Sequence, residues 1–577
     1  MNNTEMKLQV EVLSSLGKIY PDKLIGMNTD KISAFSNEAV SFQLAYKKKT
    51  GDKSVSLIYV SVETTLPKEF LFEYRIDYVP VFSRPAESDV ICNINSYQHP
   101  DLLYKRNLDA IIDNDGRWSD KFFERNEKNL LFAPADVWQG IWFTINENEI
   151  KLPSGEYDIK INFHDAFTSQ IIESKVIKTK ILKGELPNQT LIYTSWLHCD
   201  CIADIHNVEI FSDRFFEILE SYLTLAAKTG MNMLLTPAFT PALDTPINKE
   251  RLTAQLVKVI KEGNDYSFDF SLFKKFILFA KKCGIIYFEH SHFFTQWGAQ
   301  ATPKIIAMVD GETKRIFGWD VSSDSQEYKT FLKSYLTALK PVLKELDIED
   351  KVFFHISDEP FEDNIENYSN AVEIVKSILP NAVLMDALSH YKVFVKSGIT
   401  IPVACLHKDE IEKFIVGNVP FFAYYTGEVI NENYPTRLIT AYASQNRIIG
   451  IMLYKSGAKG FLHWGYNYYY GELSHGICMP QTRGDYFHGF EGSAYIVYPN
   501  YDGTAIPSQR QKVFYEGLND YRALEKLEQL TDRKTALNFI FDYFGEISFK
   551  YKAEEKVILD FRTALNNKIE ELISNQV

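Results

Sequence analysis

A chain of 577 residues with 45% hydrophobic and 24% charged residues has the make-up of a folded globular protein, and its length asks for more than one core. The formal net charge of −14 would repel a phosphate backbone, and no Lys/Arg cluster offsets it, which excludes nucleic acid as a partner. Six scattered cysteines, an N-terminus MNNTEMKLQV without a basic and apolar leader, and no apolar run long enough to span a bilayer give three expectations: free thiols, a cytoplasmic location and no membrane insertion.

Up to about Leu182 the apolar residues alternate, as in Leu8, Val10, Val12, then Val40, Phe42, Leu44, Tyr46, then Tyr157, Ile159, Ile161, Phe163. A period of two predicts strands with one buried face, and Pro153-Ser154-Gly155 supplies a turn before the last set, so residues 1–186 are expected to form an antiparallel β-sandwich. After Pro187 short apolar runs take over: LIYTSW (191–196), MNMLLT (231–236), IIYFEH (285–290), KVFFHI (351–356), AVLMDA (382–387), IPVACL (401–406), VPFFAYY (419–425) and KGFLHW (459–464). Helical spacing lies between several of them, for example Phe215, Leu219, Tyr222, Leu223, Ala226 and Phe273, Phe276, Ile277, Ala280. Eight buried strands alternating with helices predict a (β/α)8 TIM-type barrel over 187–529, with its chemistry at the C-terminal ends of the strands. Beyond it, Ile558, Phe561, Leu565, Ile569 and Leu572 predict an amphipathic helix in a C-terminal helical extension, 530–577, packed on the barrel.

The fourth run ends in FFHISDEPFEDN (353–364), where Asp358 and Glu359 stand side by side ahead of Pro360. Acids before a proline suit a helix start, where they complement the dipole. The end of a barrel strand is also where catalytic groups sit. Adjacent carboxyls seldom bracket a sugar ring as a two-carboxylate glycosidase requires. One acid can nevertheless protonate the glycosidic oxygen while the other holds a nucleophile that belongs to the substrate, its 2-acetamido group.

The pair in HISDEP, on a barrel behind a β-sandwich, resembles glycoside hydrolase family 123, the retaining β-N-acetylgalactosaminidases. The resemblance continues through KGFLHWGYNYY (459–469), YIVYPN (495–500) and SQRQKVFYEGLNDYRAL (508–524) and covers essentially the whole chain. It implies a small glycan substrate with terminal β-linked GalNAc, an oxazolinium intermediate, no cofactor, and a monomer or weak homo-oligomer. It assigns Asp358 to orienting and stabilising the acetamido N–H, and Glu359 to the general acid and then base. Glu359 must then be protonated near neutral pH, aided by burial and by Asp358, while Asp358 must stay ionised among hydrogen-bond donors.

An acetamido methyl needs an apolar box and an oxazoline oxygen needs a donor. Tyr424 and Tyr425 at the seventh run, and Trp464, Tyr466, Asn467 and Tyr469 at the eighth, are the candidates for these roles. Trp196 and His198 at the first run, and His290 and His292 at the third, are candidates for the sugar hydroxyls; barrel core is the competing role for each aromatic. Arg510 and Glu516 resemble family positions, but a buried Arg–Glu pair that holds a helix in place is at least as strong an expectation as a ligand contact, and they stay outside the catalytic set. HCDCIADIH (198–206) and EHSH (289–292) invite a metal reading, but neither has the paired spacing of a zinc site, and no metal is expected. A β-N-acetylglucosaminidase or broad hexosaminidase, and a non-catalytic sugar-binding barrel, are the alternatives, since no residue reveals the 4-hydroxyl configuration.

Overall fold

A computed structural model describes residues 7–49, 54–82, 88–92, 94, 96–106, 130–245, 249–406, 410–426, 432–482 and 490–576. Two five-stranded sheets open the chain. The first runs, in spatial order, Leu8–Ser14, Val40–Lys48, Gln139–Ile145, Leu71–Pro80 and Gln98–Lys105, with every pair antiparallel. The second runs Lys31–Phe35, Ile171–Leu182, Gly155–Asp165, Val55–Thr64 and Leu131–Pro134. Its first two strands are parallel, which amends the all-antiparallel expectation. Residues from both sheets, among them Phe42, Leu44, Tyr46, Ile141 and Phe143 from one and Ile159, Ile161, Phe163 and Ile177 from the other, share one core. The alternation sends Ala45, Tyr74, Ile76 and Trp142 of the first sheet to its opposite face, where they join the main core of the C-terminal half.

Each of the eight apolar runs forms a strand of one parallel ring: β1 (Ile192–Ser195), β2 (Met233–Thr236), β3 (Tyr287–His290), β4 (Val352–His355), β5 (Val383–Leu388), β6 (Ile401–Cys405), β7 (Phe422–Tyr424) and β8 (Gly460–His463). Their order around the ring is β1-β8-β7-β6-β5-β4-β3-β2, and the predicted helices appear between them at Asp213–Lys228 and Ser271–Lys282. The ring is nearly closed. No ladder joins β1 to β2; instead Asn232 crosses the gap, its side chain accepting from Tyr193 N at 2.8 Å and donating to Leu191 O at 3.0 Å. The interior is filled by Met233, Leu235, Phe353, Met385, Val403, Phe422 and Leu462, with Trp196, Tyr424 and Trp464 at the strand ends. The loops after β2 and β3 carry hairpins, Lys258–Glu262 with Asp265–Asp269 and Ile305–Val309 with Glu312–Phe317, which merge into a four-stranded sheet.

The helix Gln509–Leu530 is buried along most of its length and binds the two halves together. Arg510 pairs with Asp101 of the first sheet at 2.9 Å, and Glu516 accepts from Ser15 and pairs with Arg447 at 2.8 Å. Two glycines permit a close crossing with the helix Ile449–Ser456: a Cβ on Gly450 would lie 1.8 Å from the Gly517 carbonyl oxygen, and one on Gly517 would lie 2.5 Å from the Arg447 carbonyl oxygen. The last helix, Glu555–Ser574, buries Ile558, Phe561, Leu565 and Ile569, and also reaches the N-terminal sheets through Arg562–Glu38 at 2.6 Å and Glu570–Lys180 at 2.6 Å. Among the described residues the six cysteines form no disulfide, and no helix is long and apolar enough to cross a membrane.

Candidate active site

Asp358 and Glu359 lie just beyond the C-terminal end of β4, at the mouth of the barrel. An extended strand would send neighbours to opposite faces, but Glu359 has a φ of +45°, a left-handed conformation that a branched-carbon residue adopts at a cost of about 1–3 kcal/mol. The loop after β3 supports this turn. Trp297, itself at φ +63°, donates its N–H to the Asp358 carbonyl at 2.6 Å, and the Asn364 side chain donates to the Trp297 carbonyl at 2.9 Å. The Glu359 carboxylate accepts from the Tyr424 hydroxyl at 2.6 Å. Burial pushes the Tyr424 phenol well above its ordinary range, so it remains a donor.

Beneath the acids lies a buried charged triad. His355, the last residue of β4, meets Glu289 of β3 through Nδ1 at 2.7 Å and Asp386 of β5 through Nε2 at 3.3 Å. Burial alone would lower its pKa, but the hydrogen bonds and charges of Asp386 and Glu289 outweigh that and push it up to about 10. Both carboxylates have further donors: Trp196 Nε1 lies 3.0 Å from each Glu289 oxygen, while Ser357 N and Tyr368 Oη donate to Asp386 at 2.9 and 2.8 Å. His292 packs its ring 4.0 Å from that of His355 and is held neutral by burial and then by the His355 charge. Asp358 is raised well above the carboxylate range by burial first and then by the charge of Glu359, with His355 opposing. This departs from the ionised Asp358 that the sequence reading asks for, because burial and the charge of Glu359 outweigh that of His355.

The remaining predicted residues fall into two groups. Trp196, His292, Tyr424 and Trp464 gather around the triad and the acids at the barrel mouth. Tyr425, Tyr469, Asn467 and His198 do not. Tyr425 follows Tyr424 on the strand, so it points to the outer layer and packs on Phe461. Tyr469 donates to Val497 O at 3.0 Å in that same outer layer. Asn467 is spent on the backbone of His198, accepting at 2.8 Å and donating at 3.1 Å. His198 bonds Trp464 O through Nε2 at 2.9 Å and faces Arg251 through Nδ1 at 3.2 Å; burial, then Arg251, lowers its pKa to about 4. His290 and Tyr466 are likewise tied outward, to Tyr335 Oη and Tyr222 O. Arg510 donates to the carbonyls of Arg437, Gly492 and Tyr495 as well as to Asp101, a structural role as expected.

Sequence reasoning missed Glu289, His355, Asp386 and Trp297 as parts of the site. A lone acid inside each apolar run, IIYFEH and AVLMDA, was the available signal for the first and third. Single donor atoms of Glu289, His292 and His355, and of His355, Asp358 and Asp386, lie within 4.8 Å of one another. Trp196 and His355 engage the Glu289 carboxylate and His355 Nε2 lies 3.3 Å from Asp386, while both nitrogens of His292 have no hydrogen-bond partner among the described residues. His206 of the other metal-like motif bonds Tyr222 Oη at 3.0 Å, away from His198.

A nearly closed parallel barrel with paired acids beyond a strand end, behind two β-sheets, is the frame of a glycoside hydrolase, an enzyme that cleaves glycosidic bonds. Residues 196–527 match the profile "Glycoside hydrolase 123, catalytic domain", and the chain belongs to that family. A solved family 123 glycoside hydrolase from Clostridium perfringens, studied for glycolipid glycan hydrolysis, superposes with a TM-score of 0.72 at 14% identity, covering 99% of this chain and 98% of that one. A GH10 xylanase from termite gut with a bacterial Ig-like domain (TM-score 0.33, 13% identity, 64% of this chain and 86% of that one) is too distant to bear on the fold. No curated protein sequence matches the chain.

Proposed function

We propose that this glycoside hydrolase is an exo-acting, retaining β-N-acetylgalactosaminidase that removes terminal β-linked GalNAc from small glycans, glycosphingolipid-type oligosaccharides included, by substrate-assisted catalysis. The observation that carries the reading is the adjacency of Asp358 and Glu359 on a left-handed turn whose second carboxyl is held by Tyr424. Two neighbours cannot stand on opposite faces of an anomeric carbon, so the nucleophile comes from the substrate. Glu359 gives its proton to the glycosidic oxygen while the acetamido oxygen attacks the anomeric carbon, and the C–O bond to the leaving alcohol breaks. Asp358 accepts the acetamido N–H and supports the positive oxazolinium, whose charge favours the ionised acid. Glu359, now a carboxylate, takes a proton from water as that water opens the ring from the face the leaving group vacated, so configuration is retained. The apolar floor of Trp464, Trp196 and Tyr424 suits the acetamido methyl. The same reading assigns 1–186 as a rim-forming sandwich, 187–529 as the catalytic (β/α)8 barrel and 530–577 as its helical extension, with no cofactor.

Variants of the two acids test it. Glu359→Ala is expected to keep far more activity on an aryl GalNAc glycoside with an acidic leaving group than on a disaccharide, whereas Asp358→Ala is expected to lose about 2.7–4 kcal/mol of catalysis on both. Rescue of Asp358→Ala by azide with an inverted glycosyl azide would make Asp358 an ordinary nucleophile and defeat the acetamido mechanism. Equal rates on aryl β-GalNAc and β-GlcNAc glycosides would defeat the galacto preference.

A further inference from the structure

We propose that His355 is a positioning residue: an imidazolium held between Glu289 and Asp386 that favours the ionised form of the neighbouring Asp358, so that this acid can give up its proton and accept the acetamido N–H when substrate binds. The inference rests on the role given to Asp358 above and adds the group that makes that role attainable.

The geometry of the ring sets its charge. One nitrogen of His355 is hydrogen-bonded to Glu289 at 2.7 Å and the other lies 3.3 Å from Asp386, within ion-pair distance, so a positive ring has a carboxylate at each edge. The clamp is rigid and dry. His355, Glu289 and Asp386 are fully buried, and Trp196, Ser357 and Tyr368 hold the two carboxylates as acceptors. The ionisable groups placed against the ring are Glu289 and His292 from β3 and its loop, Asp358 from beyond β4, Asp386 from β5 and, behind Asp386, Tyr368. His292 is neutral, so His355 is the cation of this set.

Single donor atoms of His355, Asp358 and Asp386 lie within 4.8 Å of one another, so Asp358 has a carboxylate and an imidazolium as near neighbours. Glu359, Asp386 and Glu289 all oppose its ionisation, and His355 is the counterweight. Burial and the acidic neighbours hold Asp358 toward its protonated form, and losing the cation would push it further that way, whereas a carboxylic acid cannot accept the acetamido N–H as an anion does. The arrangement also explains a catalytic acid set beside like charges. His355 offsets them from below without occupying the sugar's place.

The pH profile of kcat on an aryl β-GalNAc glycoside tests this in the full-length enzyme. The ionised form of Asp358 is the active one, so losing the nearby positive charge raises its pKa and moves the acid limb to higher pH. His355→Gln is expected to move that limb up by about 1–3 pH units. An acid limb that stays in place while kcat falls evenly at all pH values would reduce His355 to a packing role and overturn the proposal. Asp358→Asn is run alongside: full activity there would refute the role of Asp358 itself, a different failure. Should His355→Gln not fold, nitrogen NMR of histidine-labelled native enzyme decides. Both ring nitrogens of His355 are expected to carry protons at about pH 8, and a neutral ring at that pH would overturn the proposal.

Discussion

Removing one hydroxyl from the barrel mouth separates the roles of the two acids. Tyr424→Phe preserves the ring that packs in the barrel interior and deletes the donor 2.6 Å from the Glu359 carboxylate. Glu359 becomes a carboxylate as it gives up its proton, a hydrogen bond to a charged group contributes about 1.5–3 kcal/mol, and each 1.36 kcal/mol is about tenfold in rate, so kcat/KM on a disaccharide should fall about 10- to 150-fold. The loss acts through the orientation of the proton donor. It should therefore shrink to about threefold for a dinitrophenyl glycoside, whose leaving group hardly needs a proton. The assay is kcat/KM across a series of aryl GalNAc glycosides of graded leaving-group pKa, with thermal unfolding as the folding control. A uniform loss across the series would show that Tyr424 touches the sugar instead of serving Glu359, and no loss would show that the bond does not orient the acid.

Asn232→Ala should cost about 1–3 kcal/mol in chemical denaturation, because it leaves Tyr193 N without its acceptor at the open seam of the barrel, Leu191 O keeping Gln189; a change below about 0.5 kcal/mol would mean that the strands close without it. Acid should weaken the fold through buried neutral histidines: His198 and His290, at about 4, and His99, at about 3, lie below the ordinary value of about 6.5, so their contribution is present above pH ~6.5 and is lost as pH falls through the folded values. Unfolding free energies that stay flat from pH 6.5 to 4 would contradict this. His355 has the opposite sign. Its contribution is full below pH ~6.5 and is lost as pH rises through about 10, which an alkaline denaturation series on Glu289→Gln would show as a reduced slope.

The barrel was legible because every one of its strands is a short apolar run, and burial on both faces produces that pattern. The inserted hairpins were just as readable in principle. Gly263-Asn264 and Asp310-Gly311 are two-residue turns of the hairpin kind, with Gly263 at φ +58°, Asp310 at +52° and Gly311 at +81°. They went unread because charges break the apolar pattern in Lys258–Glu262, Asp265–Asp269 and Glu312–Phe317. Tyr425 could have been set apart from Tyr424 by strand alternation alone. Glu359's left-handed turn was not legible, since it is imposed by contacts such as Trp297 N to Asp358 O between distant segments. His355 was in view in FFHISDEP, but its charge depends on Glu289 and Asp386, 66 and 31 positions away.

The family profile ends at residue 527, inside the helix Gln509–Leu530 that Asp101 and Ser15 hold from the other half. The segment that evolution keeps recognisable is thus smaller than the unit that folds. A gene trimmed to the matched residues would expose the helix face that meets the N-terminal sheet, strand Arg510 without its carboxylate, and remove the Arg562 guanidinium that neutralises Asp520 at 2.9 Å. Anyone shuffling such enzymes, or grafting this barrel onto a different N-terminal domain, has to carry both ends of the chain along with the catalytic core.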